Sequence, residues 1–143
     1  MKKNKFGFTL FELLVSISII AILTAIATVS YGSMQKKARD SRRIEDMENI
    51  RKAQEQWYML NNATYRAGCI SGSQWTDSNG VVVFVYPTDP KNTAPNVYSA
   101  STCGGATYCV CATLENAVGN SGNATCSNWV NGTGAYYCVS NQQ

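Results

Sequence analysis

From residue 8 to residue 29 the chain is apolar at nearly every position, FTLFELLVSISIIAILTAIATV, and a single charge, Glu12, interrupts the run. About twenty-two residues of helix rise roughly 33 Å, enough to cross a bilayer. A carboxylate inside such a span costs roughly 2.5–3.5 kcal/mol on insertion scales, so it marks function more often than accident. The plain alternative is a carboxylate near the interface that snorkels to water. Ahead of the run stands a short basic segment ending in glycine, MKKNKFG.

The helical pattern continues beyond the apolar run. No proline lies between residues 8 and 61 and Gly32 is the one interior glycine, which predicts a single helix of about 80 Å. Its second half is charged. Ile44, Met47, Ile50, Ala53, Trp57 and Leu60 form a stripe that drifts around the helix, as for a helix covered by a sheet on one side and by neighbouring subunits on another. Glu48–Lys52 and Arg51–Glu55 are spaced to pair at i,i+4. Asn61-Asn62 ends the helix, and residues 63–79, rich in Gly, Ser and Thr, read as a loop. Strands are predicted at 81–86, 96–100, 108–114 and 135–140. Residues 81–85 are continuously apolar, the pattern of a buried strand, and Pro87 and Pro90 bound a turn at Thr88-Asp89. Residues 119–128 read as a polar loop holding Cys126. The fold class is therefore α+β: one long N-terminal helix, its C-terminal half packed on a small antiparallel sheet of three to four strands.

Composition narrows the chemistry. Of 143 residues none is histidine, which removes the commonest general base and metal ligand. No serine elbow, phosphate loop or paired carboxylates within one element is visible, so the chain reads as a substrate of enzymes, with no catalytic residues of its own. Cys69, Cys103, Cys109, Cys111, Cys126 and Cys138 all follow the helix, a density that favours disulfides in an oxidising compartment. Fifteen pairings are open. In a strand Cys109 and Cys111 point to one face and suit two different partners, and Cys138 could tie down the C-terminus. A zinc site is the competing reading; Cys109-Val-Cys111 lacks the usual ligand gap. Asp77, Asp89 and Glu115 are the acids after Glu55. They give only a weak case for calcium, which wants six to eight oxygens, and Asp77 and Asp89 suit turns. No other cofactor is indicated. Tyr58, Tyr65, Trp75, Tyr86, Tyr98, Tyr108, Trp129, Tyr136 and Tyr137 could stack on bases or sugars, but such residues more often fill a small core. The basic run at residues 36–43 could meet phosphates; a solvated helix face or subunit contacts is the favoured reading. Formal charge is +3 overall. Lys2, Lys3 and Lys5 account for that excess, and the rest of the chain is balanced, which does not support nucleic-acid binding.

The combination KKNKFG/FTLFELLVSISIIAILTAIA resembles the class III leader and N-terminal helix of bacterial type IV pilins and type II secretion pseudopilins. The small residue lies between the basic and apolar parts, unlike a secretory signal, so cleavage there keeps the apolar helix in the product. The resemblance implies a prepilin peptidase that cuts after Gly7 and methylates Phe8, and it implies Glu12 as the glutamate that guides assembly by pairing with the Phe8 amine of a neighbour. Residues 8 and 12 of one helix also share a face, so an internal pair is the alternative. The layout implied is a leader at 1–7, a transmembrane and polymerisation helix at 8–30 and a globular pilin domain at 31–143. The partners implied are copies of the chain in a helical filament, the peptidase, an assembly platform and the membrane before assembly. A pilus subunit, a secretion pseudopilin and a minor tip pilin binding DNA or surfaces all fit. Val29 and Ala21 stand where such pilins commonly carry a helix-breaking proline and a glycine. Counting basic residues near each end of the span favours a cytoplasmic C-terminus. The leader and the cysteines outweigh that count and place the C-terminal domain outside the cytoplasm, with the precursor in the cytoplasmic membrane and the assembled product extracellular or periplasmic.

Overall fold

The computed structural model describes residues 7–69 and 71–142; the leader lysines Lys2, Lys3 and Lys5 lie outside the described residues. The element order is α1 (Leu10–Leu60), β1 (Gln74–Thr76), β2 (Val82–Val85), β3 (Ser99–Gly104), β4 (Thr107–Thr113), β5 (Gly119–Ser121), β6 (Trp129–Gly134) and β7 (Tyr136–Ser140). The α+β layout of a long helix followed by antiparallel strands is as expected. The strands number more than expected. They form a two-stranded sheet, β1-β2, and a five-stranded sheet ordered β3-β4-β7-β5-β6, in place of one sheet of three to four. The chain divides into two compact units, residues 1–35 and 36–143.

In the first unit every described side chain is exposed, including Phe8 at 79% and the isoleucines and leucines that follow. The helix is long and apolar enough to cross a membrane, with a mean hydropathy of 2.5 over its best window. It starts at Leu10, two residues later than predicted, because Thr9 caps it.

In the second unit the helix packs Met47 and Ile50 against β4 and β7, two adjacent strands of the five-stranded sheet. The core joins Met47 and Ile50 to Tyr65, Trp75, Tyr86, Tyr98, Tyr108, Val110, Ala112 and Val139. The buried helix positions are Asp40, Arg43, Met47, Ile50 and Gln54, spaced 3, 4, 3, 4, which is one straight helical stripe. The apolar letters alone drift because three positions of the true face are polar; Leu60, assigned to the stripe, is 83% exposed. The predicted i,i+4 pairs are replaced. Arg51 pairs with Glu48, and Glu48, Glu55 and Asp46 accept hydrogen bonds from the sheet-side hydroxyls of Tyr137, Tyr65 and Tyr98.

Strand alternation sends successive residues of β4 to opposite faces. Tyr108, Val110 and Ala112 meet the helix, while Cys109 and Cys111 join Cys138, Cys126, Ala124 and Tyr136 on the far side. The loop predicted at 63–79 contains β1, and the polar loop at 119–128 contains β5. β6 was not expected, and the strand placed at 96–100 lies at Ser99–Gly104. β5 lies so close to both its neighbours that a Cβ on Gly119 would stand 1.9 Å from the Tyr136 carbonyl oxygen of β7, and one on Gly134 of β6 2.2 Å from that of Ser121, so the pairing of β5 and β6 is specified by the absence of side chains. The apolar 81–85 segment is not buried. Val81, Val82, Val83 and Val85 are all exposed, because β2 belongs to the separate hairpin and turns only Phe84 toward Trp75.

Candidate functional site

The first turn of α1 carries the residues singled out in sequence. Thr9 Oγ1 accepts a hydrogen bond from the Glu12 amide at 3.2 Å, and Glu12 Oε2 accepts from the Thr9 amide at 3.0 Å and from its hydroxyl at 2.9 Å. This reciprocal arrangement is a capping box: Thr9 is the cap, Glu12 the third helical residue, and two otherwise unpaired amides are satisfied. The T-x-x-E spacing before an apolar run was the available signal for it, and the sequence reading passed over it. Gly7, Phe8 and Thr9 precede the helix. Gly7 meets nothing within 4 Å of where a Cβ would stand, so the Gly7–Phe8 bond is sterically open. Because Phe8 is outside the helix, residues 8 and 12 do not share a helical face, and an internal pair between them loses the geometry assumed for it.

Residues 2–28 match the prokaryotic N-terminal methylation motif. The match marks a class III prepilin leader of the type IV pilin and pseudopilin kind, and it spans Gly7, Phe8 and Glu12 together. Together with the apolar helix, this prepilin motif fits a membrane-anchored precursor. It ends at residue 28, and the pilin-like layout of the remainder rests on the fold. Neither curated proteins nor solved structures yield a match to the chain.

In the second unit the basic run is divided. Arg43 is fully buried and donates Nε and Nη2 to Asp89 at 2.6 and 3.1 Å, and Nη1 to Asp40 at 2.8 Å and Glu115 at 3.1 Å. Arg39 forks onto Glu115 at 2.6 and 2.7 Å, and Lys91 reaches it at 3.3 Å. Asp40 also accepts the amides of Glu115 and Asn116. The reading of 36–43 as a solvated face is therefore corrected: Arg39, Asp40 and Arg43 clamp the helix to the segments after β2 and β4, while Lys36, Lys37 and Arg42 remain exposed. Two of the three acids considered for calcium converge here, on arginine; Asp77 is a turn former that accepts the amides of Asn79 and Val81. Hydrogen bonds from Arg39 hold the Glu115 carboxyl down at about 2. Burial alone would raise Asp40, but the amides of Glu115 and Asn116 and the Arg43 guanidinium outweigh it and lower its pKa. Burial pushes the Tyr65 hydroxyl up to about 12, with Glu55 adding to the shift.

All six cysteines are paired: Cys69–Cys103, Cys109–Cys126 and Cys111–Cys138. Cys109 and Cys111 take different partners, as their shared face predicted, and Cys138 fastens the last strand. Of the nine aromatic residues considered for stacking, eight are buried or half-buried and Trp129 is exposed at 51%. A cavity of about 320 Å³ lies where Trp57 and Leu60 of α1 meet Trp75 and Phe84 of the hairpin.

Proposed function

We propose that the chain is a structural subunit of a type IV pilus or pilus-like filament. It is made as a prepilin, cut between Gly7 and Phe8, methylated at Phe8, and polymerised by burying residues 8–30 against copies of itself. The observation that carries this reading is the first turn: an open Gly7–Phe8 bond beside an apolar helix whose described side chains are exposed and whose one acid, Glu12, is fixed at its start. Such a helix is stable in water only if lipid or other apolar surfaces cover it. Three disulfide bonds support an extracytoplasmic position for the second unit.

The test is expression of the precursor together with a prepilin peptidase and assembly machinery, followed by mass analysis of the N-terminus and electron microscopy. Glutamine at position 12 can still serve a capping box but carries no charge. Glu12→Gln and Glu12→Ala should both be cut normally and both fail to form fibres. Normal fibres from Glu12→Gln would reject a role for the charge, and a mature chain beginning anywhere but Phe8 would reject the processing step.

A further inference from the structure

Four of the six cysteines meet on the sheet face away from the helix. Cys109 and Cys111 stand two apart on β4, Cys138 is the cross-strand neighbour of Cys111 on β7, and Cys126 arrives from the segment between β5 and β6. The bonds run Cys109–Cys126 and Cys111–Cys138. The Cys111 sulfur lies 4.0 Å from the Cys109 sulfur and 4.0 Å from the Cys126 sulfur, so each disulfide is in contact with the other. Cys109, Cys111 and Cys138 are buried, whereas Cys126 is half-buried, which makes it the approachable member of the four. The third pair is different: besides each other, the recorded partners of the Cys69 and Cys103 sulfurs are Gln54, Arg66 and the Cys69 amide, none of them sulfur.

We propose that the two disulfides are an exchange pair, in which reduction received at Cys126 is passed inward and emerges at Cys138. A thiolate of a dithiol reductant attacks the Cys126 sulfur; the Cys109–Cys126 bond breaks and Cys109 leaves as a thiolate. The second thiol of the reductant then closes on its partner, which releases Cys126 as a thiolate. The reductant departs as a disulfide, having lost two electrons that the protein has gained. The Cys126 thiolate, beside the Cys111 sulfur, attacks it; a Cys111–Cys126 bond forms, the Cys111–Cys138 bond breaks, and Cys138 leaves as a thiolate. This last step consumes one disulfide and makes one, so no further electrons are needed, and Cys109 and Cys138 take up protons as free thiols. The consequence is a change in which segment is freed. Without exchange, the reductant would untie the loop at 122–128. With exchange that loop stays tethered, now to Cys111, and β7 is held to β4 by hydrogen bonds alone.

The experiment uses the full chain in detergent. Brief exposure to limiting dithiothreitol is stopped with excess N-ethylmaleimide, and the protein is digested at acid pH and mapped by mass spectrometry. Among molecules that carry two labels and keep Cys69 joined to Cys103, the expected species has labels on Cys109 and Cys138 and a peptide linking Cys111 to Cys126. Finding two-label molecules labelled only on the native pairs, Cys109 with Cys126 or Cys111 with Cys138, overturns the proposal.

Discussion

Replacing Arg43 by Met tests how the second unit is held together. The side chain is wholly buried, and its fork satisfies both oxygens of Asp89 while the same guanidinium reaches Asp40 and Glu115. Three acids here face three cations, Arg39, Arg43 and Lys91. Methionine fills much of the volume but leaves Asp89, itself fully buried, without any side-chain cation. Removing one partner of a buried pair costs about 3–5 kcal/mol, because the remaining charge stays desolvated. At about 4 °C per kcal/mol for a domain near this size, the midpoint should fall by about 12–20 °C. Trp57, Trp75 and Trp129 all lie in the second unit, so their fluorescence during heating or urea titration in detergent reports it directly. The pH dependence gives an independent check. The Glu115 carboxyl is held near 2 in the folded chain, well below its ordinary 4.5. Its stabilising contribution is therefore complete above about pH 4.5 and lost as pH falls toward 2; Asp40 has the same sign. Without Arg43 these groups rise toward their ordinary range, so acid costs the variant less and the gap from wild type should narrow between pH 7 and pH 3. A variant within about 1 kcal/mol of wild type at pH 7, or a gap independent of pH, would refute the account of the cluster as a net stabilising clamp.

Three further outcomes are expected. Trp75→Ala removes a ring packed on Trp57, Phe84 and Tyr86 and should cost about 3–5 kcal/mol in urea unfolding; a loss under about 1 kcal/mol would show that the hairpin is not part of the cooperative core. Gly119→Ala drives a methyl into the Tyr136 carbonyl and should lower the yield of correctly paired protein, read by disulfide mapping; full yield and unchanged stability would contradict the close approach of β5 and β7. Gly7→Leu places a bulky side chain at the proposed cleavage point and should leave a mass that retains residues 1–7, whereas normal processing would show that the proposed cleavage does not need the open backbone.

What could be read in the sequence, and what could not, divides along physical lines. The helix was legible because an unbroken apolar run followed by a proline-free charged stretch has few other solutions. β2, β4 and β7 were legible because Val82–Val85, Thr107–Thr113 and Tyr136–Ser140 are rich in β-branched and aromatic residues. β5 and β6 were not: GNS and WVNGTG carry loop letters, and pairing there depends on glycines that permit contact rather than on side chains that drive it. The polar part of the helix face was hidden for another reason. Asp40, Arg43 and Gln54 look like surface residues until the segments that complement them are in place. Gln54 donates to the Arg66 carbonyl and accepts its amide, as a backbone group would. The drift of the apolar stripe was the clue, since a straight stripe appears once those three positions are added.

Glu12 shows the same limit at the candidate site. Its isolation among apolar residues identified it, but isolation does not say which partner a carboxylate has. The capping box gives it one already, within its own turn, and that does not conflict with the proposed assembly role. Capping fixes where the helix begins and so leaves Phe8 just outside it, on the residue before the cap. An amine created there by cleavage would not be stacked one turn above Glu12 on a common face; it would sit on a free end, able to meet the carboxylate of another copy. The Thr9 bonds also hold that carboxylate at the N-terminal end of the helix. A residue that caps its own helix is thereby kept in place for the neighbouring terminus that the proposed assembly would bring to it, so losing the cap and losing the charge are separable defects, and only loss of the charge would remove the partner for that amine.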